Sequence, residues 1–365
     1  MTSIKEVTSY LESIAPLALQ ESYDNAGLIV GDEKTAVTGI LISLDSTEEV
    51  VDEAIQHNCN LIIAHHPIIF SGLKKLNGKN YIERTVIKAI KNNIAIYAVH
   101  TNLDNIQAGV NAKICERLGL KNCSVLSPKD SILRKLITFS PVDHAEKIRS
   151  ALFEAGSGNI GNYDQCSFNA EGTGTFRAGE GANPYIGEKN KRHDEKEVRI
   201  ETIFESWREN GIIKALKGAH PYEEVAYDIY PLHNAYSKVG SGMVGELENP
   251  MSENEFLEHL KSKMMANGIR YTKLTGQRVN KVAVCGGSGS FLLGDAIRAG
   301  ARFFVTSDFK YHQFFDADGR IVIADIGHYE SEQFTKELMA DLLIRKFSTF
   351  ALRLSGVATN PVNYF

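Results

Sequence analysis

Apolar residues near the start of the chain recur at helical spacing, at Ile4, Val7, Leu11 and Ile14, and Ser3 and Glu6 stand in capping-box register. A short amphipathic helix is predicted there. From residue 39 the pattern becomes one of apolar runs separated by amphipathic segments: 39–45, 61–65 and 94–100 read as strands, 46–58 and 81–93 as helices. The alternation predicts a buried parallel sheet with helical crossovers.

The rhythm changes near residue 129. A strand over 134–141 is followed by a helix over 143–156, and two glycine-punctuated extended runs then lead into the polar stretch GEKNKRHDEKE at 187–197. A strand over 198–206, a helix over 207–218 and a strand over 224–232 complete a β-α-β-β-α-β order, which predicts a ferredoxin-like unit. The α/β rhythm resumes with a helix over 253–267, a strand at 281–285, a helix over 290–299, strands at 302–306 and 320–326, and a last helix over about 329–346. The expected architecture is a discontinuous α/β domain, 1–128 plus 237–365, interrupted by an inserted ferredoxin-like α+β domain at 129–236. No heptad array, short repeat or low-complexity tract breaks this pattern.

A length of 365 residues suits two domains, or one domain carrying an insertion. The net charge of -5 and a pI near 6.1 leave no polybasic block for phosphate backbones or anionic lipid. That argues against nucleic acid as a partner and for a small soluble ligand. Five scattered cysteines without a C-x-x-C pair indicate neither a disulfide framework nor a thiolate zinc site. The N-terminal residues have no basic segment followed by an apolar run, and no segment reaches the ~18 apolar residues of a membrane span. A cytoplasmic protein without membrane contact is expected.

The candidate chemistry sits at strand ends. In LIIAHHPIIF (61–70) the strand stops before Pro67, which cannot continue a central strand, so His65 and His66 can turn into one site. IAIYAVHTNLD (94–104) delivers His100 and Asp104, and IVIADIGHYESE (321–332) delivers His328 and, one helical turn on, Glu332. Ligands of open α/β sheets bind beyond the carboxyl ends of strands. Mixed imidazole and carboxylate donors suit zinc, iron, manganese or nickel, and five of them exceed one open tetrahedral site, so two divalent metal ions per chain are expected. His100 is a ligand or a residue that orients one. Asp308 and His312 share helical spacing at another strand end and are candidates for orienting ligands, moving protons or starting a helix. The Gly-rich stretch CGGSGS (285–290) is open to phosphate binding or a tight turn, Asp24 and Asn25 to a turn or a reach into the site, and AHPYEE (219–224) to a structural helix end.

At these residues the sequence resembles the GTP cyclohydrolase I type 2 family, also called the Nif-three-like family. YDNAGLIVGD, IIAHHPIIF, VHTNLD, CGGSGS, TSDFKYH, GHYESE and TNPVNYF follow the family's order across essentially the whole chain, with Tyr23 where the family often has tryptophan. The resemblance implies a Nif-three-like α/β fold and a dinuclear metal centre on His65, His66, Asp104, His328 and Glu332, the set reached from the strand ends. It also implies a toroidal homohexamer whose longer members carry an insertion similar to the PII and CutA trimers. The implied activity is hydrolytic opening of the GTP imidazole ring with release of formate, and His312 or His100 would move protons. The same centre would also suit a phosphoester or another nucleotide or heterocycle. A non-catalytic metal-binding or ligand-sensing regulatory assembly is the alternative.

Overall fold

The first helix, Ile4–Ile14, starts at a reciprocal cap: the Ser3 hydroxyl accepts from the Glu6 N–H, and the Glu6 carboxylate accepts from the Ser3 N–H at 2.7 Å. Its apolar stripe is buried at Ile4, Val7 and Leu11. The computed structural model describes residues 2–347 and 350–365, in two compact units: Met1–Pro128 with Ser237–Phe365, and Lys129–Tyr236.

The first unit contains two mixed sheets. In one, strands Gly39–Ser43, Leu61–Ala64 and Ala95–Ala98 run parallel, with Ala351–Leu354 parallel at one edge and Gly27–Val30 antiparallel at the other. In the second, Val279–Ser288, Phe303–Ser307 and Val322–Asp325 run parallel, flanked by Arg270–Tyr271 on one side and by Tyr236–Met251 and Lys121–Lys129 on the other. Ile40, Ile42, Leu61 and Ile63 of one sheet and Val282, Val284, Phe303 and Val305 of the other belong to a single buried core. The opposite sheet faces are also covered. Leu41, Ile62 and Ile96 pack with Val50, Val51 and Val86 of helices Glu48–Gln56 and Tyr81–Lys91, while Ala283, Phe304 and Ile323 pack with Leu293 and Ala296 of helix Leu293–Arg298. Burial on both faces is why the central parts of these strands read as apolar runs rather than as an alternation.

Some elements depart from the sequence expectation. Strands Lys121–Lys129 and Tyr236–Met251 carry charged ends and glycines that hide their period. At Gly240 a Cβ would lie 2.7 Å from Pro128 Cα, so the glycine is what lets the two strands approach. The last helix is divided into His328–Glu332 and Thr335–Ile344, with the Gln333 amide between them donating to Met264 O at 2.8 Å.

In the second unit the order is strand Leu133–Pro141, helix Ala145–Glu154, strands Phe168–Arg177 and Arg192–Glu205, helix Glu209–Ala219 and strand Tyr227–Pro231. Ile148, Leu152, Ile212 and Leu216 of the helices pack with Leu136, Val198, Ile200 and Phe204 of the sheet. The stretch expected to be merely polar is half strand: Arg192–Glu205 pairs over its first residues with Gly172–Arg177, a hairpin sustained by the ladder rather than by an apolar period.

Candidate metal centre

The Leu61–Ala64 strand ends where the N–H groups of His65 and His66 both turn to Leu44 O, at 3.1 and 2.9 Å. Pro67 then supplies no donor to prolong the ladder. The two rings end up with centroids 4.9 Å apart, His65 fully buried and His66 partly so. His100, after the Ala95–Ala98 strand, precedes the short helix Thr101–Asp104 and brings its ring within 5.3 Å of His65 and 5.4 Å of His66. From the second sheet, helix His328–Glu332 begins right after the Val322–Asp325 strand and turns His328 and Glu332 into the same space.

Glu332 is the hub. Its Oε2 lies 3.0 Å from His66 Nε2 and 3.1 Å from His328 Nε2, and these two nitrogens are 3.4 Å apart. Its Oε1 lies 3.8 Å from His65 Nε2, which is 3.7 Å from Asp104 Oδ1. The ligand-type atoms of His66, His328 and Glu332 fall within 4.8 Å of one another, as do those of His65, His66 and His100.

Each histidine is held from behind. His65 Nδ1 donates to Val99 O at 2.8 Å, His66 Nδ1 to Asp45 at 2.7 Å, His100 Nδ1 to Asp24 at 2.7 Å and His328 Nδ1 to Asp308 at 2.6 Å. Because every partner is an acceptor, Nδ1 carries a hydrogen in all four rings, and each Nε2 faces inward. The sequence leaves Asp24 open to a turn or a reach into the site, and here it reaches His100; Asp45 is not singled out by sequence reasoning. Asp45 follows the Gly39–Ser43 strand, so the strand-end rule that found the histidines applied to it as well.

The electrostatics show a centre that wants positive charge. Burial opposes protonation of His66, but Asp45 and Glu332 hold its pKa up to about 10; burial likewise opposes His328, and Glu332 with Asp308 holds it up to about 11. Burial depresses His65. Burial also works against ionised Glu332, yet His328, His65 and His66 keep its carboxyl well below the ordinary range. Asp104 is pushed well up by burial and by the Glu332 charge. Asp24 is buried, but bonds from His100 and Thr101 hold it down to about 2.

His312 stands apart from these side chains. It lies in the 3-10 helix Tyr311–Ala317, exposed, with its ring against Tyr311 and Phe315, and it does not line the cavity over the centre. Asp308 has a left-handed φ of 58° before that helix begins and turns to His328, which is the ligand-orienting one of the roles open to it. The Gly-rich stretch is not an open phosphate cradle: the Gly286 N–H donates to Asn111 Oδ1 at 3.0 Å and the Gly287 N–H to Ser331 Oγ at 2.9 Å. Glycine is required at 287, where φ is +62° and a Cβ would lie 2.5 Å from Glu332 Oε1.

The centre opens into a cavity of about 790 Å³. Tyr23 and Phe70 stack on its wall with centroids 6.3 Å apart, 64 % and 49 % exposed, and Phe70 meets His100 edge-on at 5.8 Å. Arg270, Asn360 and Tyr364 line it as well. Thr359 donates to Asp45 at 2.6 Å and Asn360 to Glu330 at 3.1 Å, so the TNPVNYF segment is bound to the rim of the centre.

Compared with known proteins, residues 2–361 match the profile described as Duf34/NIF3 (NGG1p interacting factor 3). This chain belongs to the Duf34/NIF3 family. Among its NIF3-family relatives, the GTP cyclohydrolase 1 type 2 homolog of Halalkalibacterium halodurans is 39 % identical over 364 residues, covering 98 % of each chain. The protein of the same name from Bacillus subtilis is 38 % identical over 366 residues, covering 99 % of this chain and 98 % of that one. A crystal structure of a Bacillus cereus protein related to NIF3 superposes with a TM-score of 0.87 at 40 % identity, covering 100 % of this chain and 99 % of that one. A Staphylococcus aureus protein gives 0.80 at 31 % identity, with the same coverage.

A metal pair fits the residues of this NIF3-family chain. His65 Nε2 and Asp104 Oδ1 are buried without a hydrogen-bond partner among the described residues, a costly arrangement unless something binds them. Donors about 2.1 Å from a tetrahedral ion lie about 3.4 Å from one another, close to the 3.0–3.8 Å found here.

Proposed function

We propose that this chain is a dinuclear-metal-dependent hydrolase acting on a nucleotide or related heterocycle, with GTP the first candidate. The observation that carries the reading is Glu332, whose two oxygens each serve a different donor group beneath an open cavity. In this reading His65, His66, Asp104, His328 and Glu332 would hold two divalent ions. Zinc, iron, manganese and nickel all suit that donor set. When bound, the ions supply Lewis acidity, lowering the pKa of water and polarising an electrophilic carbon.

The remaining work falls to side chains. His100 Nε2, with its tautomer fixed by Asp24, accepts a proton near the reacting centre and returns it to a leaving nitrogen or oxygen. The Tyr23 and Phe70 rings offer a planar base a stacking face beside His100. Arg270, one of whose guanidinium nitrogens is tied to Asp325 and Phe309 O, keeps its other N–H groups for an anionic group. The name of the relatives, GTP cyclohydrolase 1 type 2 homolog, supports GTP as the first compound to try. A closed homohexamer in the cytoplasm belongs to the same reading; sedimentation at micromolar concentration checks the assembly. Among the described residues no helix is long and apolar enough to cross a membrane.

The test is to load the protein with each metal, add GTP, and follow formate and a pterin-type chromophore. Turnover should fall at least about 100-fold in His100→Ala, the usual scale for losing a general base. Absence of turnover with every metal rejects GTP. A second reading, a non-catalytic ligand-sensing assembly, draws on a separate cavity in the Lys129–Tyr236 unit. His66→Ala separates the two: a hydrolase loses activity with its fold intact, whereas a structural site loses thermal stability or assembly together with its metal.

A further inference from the structure

The Lys129–Tyr236 unit holds a cavity of about 660 Å³ that the metal centre does not use. Val198 and Ile200 face the helices, so Glu197 and Arg199, on alternate positions, face the other side of the sheet. Gly172 pairs with Glu197 and Gly174 with Glu195 across the hairpin. A Cβ at Gly174 would lie 2.0 Å from Glu197 Oε2, so the glycine makes room for that carboxylate to lie over the neighbouring strand.

Glu197 Oε1 accepts from the Tyr222 hydroxyl at 3.1 Å. Among the described residues Oε2 has no hydrogen bond and no cation pairs with Glu197; the nearby Arg199 is engaged with Glu201 at 2.9 Å. Burial pushes the Glu197 carboxyl up, the Tyr222 bond works against this, and Glu195 adds to the rise. Around the carboxylate stand the rings of Phe139, Phe176, Tyr185 and Tyr222. Phe176 and Tyr185 lie 6.2 and 6.3 Å from Tyr222.

The rings are held in place. His144 Nε2 meets the Tyr185 hydroxyl at 3.1 Å. His220, in AHPYEE, donates from Nε2 to Phe139 O at 2.8 Å and accepts the Tyr222 N–H on Nδ1 at 3.1 Å. The motif is thus a helix end, as its structural reading had it, and also the device that presents Tyr222. Asn183 N–H donates to Glu223 at 2.7 Å, tying the 178–191 loop to the same segment. Four carboxylates line the cavity against two guanidiniums.

We propose that this cavity binds a small organic cation, an aryl- or alkylammonium, with the ammonium on Glu197 Oε2 and its body between Phe176, Tyr185 and Tyr222. Aromatic faces attract such cations, and a half-buried carboxylate without a counter-charge selects them over neutral analogues. The assignment is independent of what the metal centre does.

Calorimetric titration of the full-length protein with benzylammonium, benzyl alcohol and benzoate, three probes of one shape, tests it. Benzylammonium should bind at least about tenfold more tightly than benzyl alcohol, and benzoate should give no heat. Glu197→Gln should weaken benzylammonium at least about tenfold with metal content unchanged, while Tyr222→Phe, which keeps the ring, should change it by less than about threefold. If Glu197→Gln does not fold, Tyr222→Ala carries the same decision, with a loss of at least about tenfold expected. Equal affinity for the ammonium and the alcohol, an unaffected Glu197→Gln, or no binding of benzylammonium at millimolar concentration each overturns the proposal.

Discussion

Asp45, Asp24 and Asp308 each fix one ring of the centre, and the Val99 carbonyl fixes a fourth. Such outer partners set the tautomer and raise the basicity of the inner nitrogen, and their loss typically costs 10–100-fold in metal affinity. Asp45→Asn and Asp308→Asn should each weaken metal binding by about that factor with the fold retained, read by competition with a chelating dye. Unchanged affinity would mean these carboxylates do not act through the rings. Protons also compete for the site. The pKa values of His66 and His328 are raised from 6.5 to about 10 and about 11, so in the metal-free protein their stabilising contribution is full below about pH 6.5 and is lost as pH rises through 10–11. Metal binding near pH 8 should therefore expel a proton from each ring. Calorimetry in buffers of different ionisation enthalpy measures this, and a metal heat that does not depend on the buffer would rule it out.

At the scale of elements, the centre is assembled from the carboxyl ends of parallel strands in two sheets: 39–43, 61–64 and 95–98 in one, 279–288, 303–307 and 322–325 in the other. The end of Val279–Ser288 is the tightest of these, because Gly287 lies directly against Glu332. Gly287→Ala combines a left-handed φ with a close contact to the hub carboxylate, and should destabilise the protein by roughly 1–3 kcal/mol while lowering metal content. Parallel thermal melts and elemental analysis check it; a stable, fully metallated variant would show that Glu332 has room to move. The histidines were legible in the sequence because apolar runs stop abruptly beside them. Asp24 and Asp45 were harder, since an aspartate near a strand end is equally at home in a turn. The glycines at 286 and 287 invited a phosphate reading because sequence shows that a side chain is missing, but not that a carboxylate and two side-chain acceptors fill the space. The spacing of His312 from Asp308 means adjacency only if a helix joins the two residues, and here Asp308 lies ahead of the helix with a left-handed φ.

At the scale of the whole molecule, the strands on either side of the Lys129–Tyr236 unit are neighbours in one sheet, and Gly240 brings them into close contact at Pro128. The chain therefore leaves and re-enters at adjoining points. Replacing residues 130–235 by a short Gly-Ser linker should keep about two metals per chain, because closing a short loop between adjacent strands costs little. Loss of the metals on that excision would mean that the centre depends on the removed residues. The same arrangement has a consequence during synthesis. His66 and Glu332 are 3.0 Å apart in space and 266 residues apart along the chain. At 5–20 residues per second, the hub carboxylate leaves the ribosome roughly 13–53 s after the histidine it meets. Throughout that interval His65 and His66 wait without the carboxylate they meet in the fold, and the whole Lys129–Tyr236 unit is made before it arrives. Under the proposed function, completion of the centre therefore waits for nearly finished chains, and a ribosome that stalls before residue 332 releases a product lacking the carboxylate that joins His66 to His328.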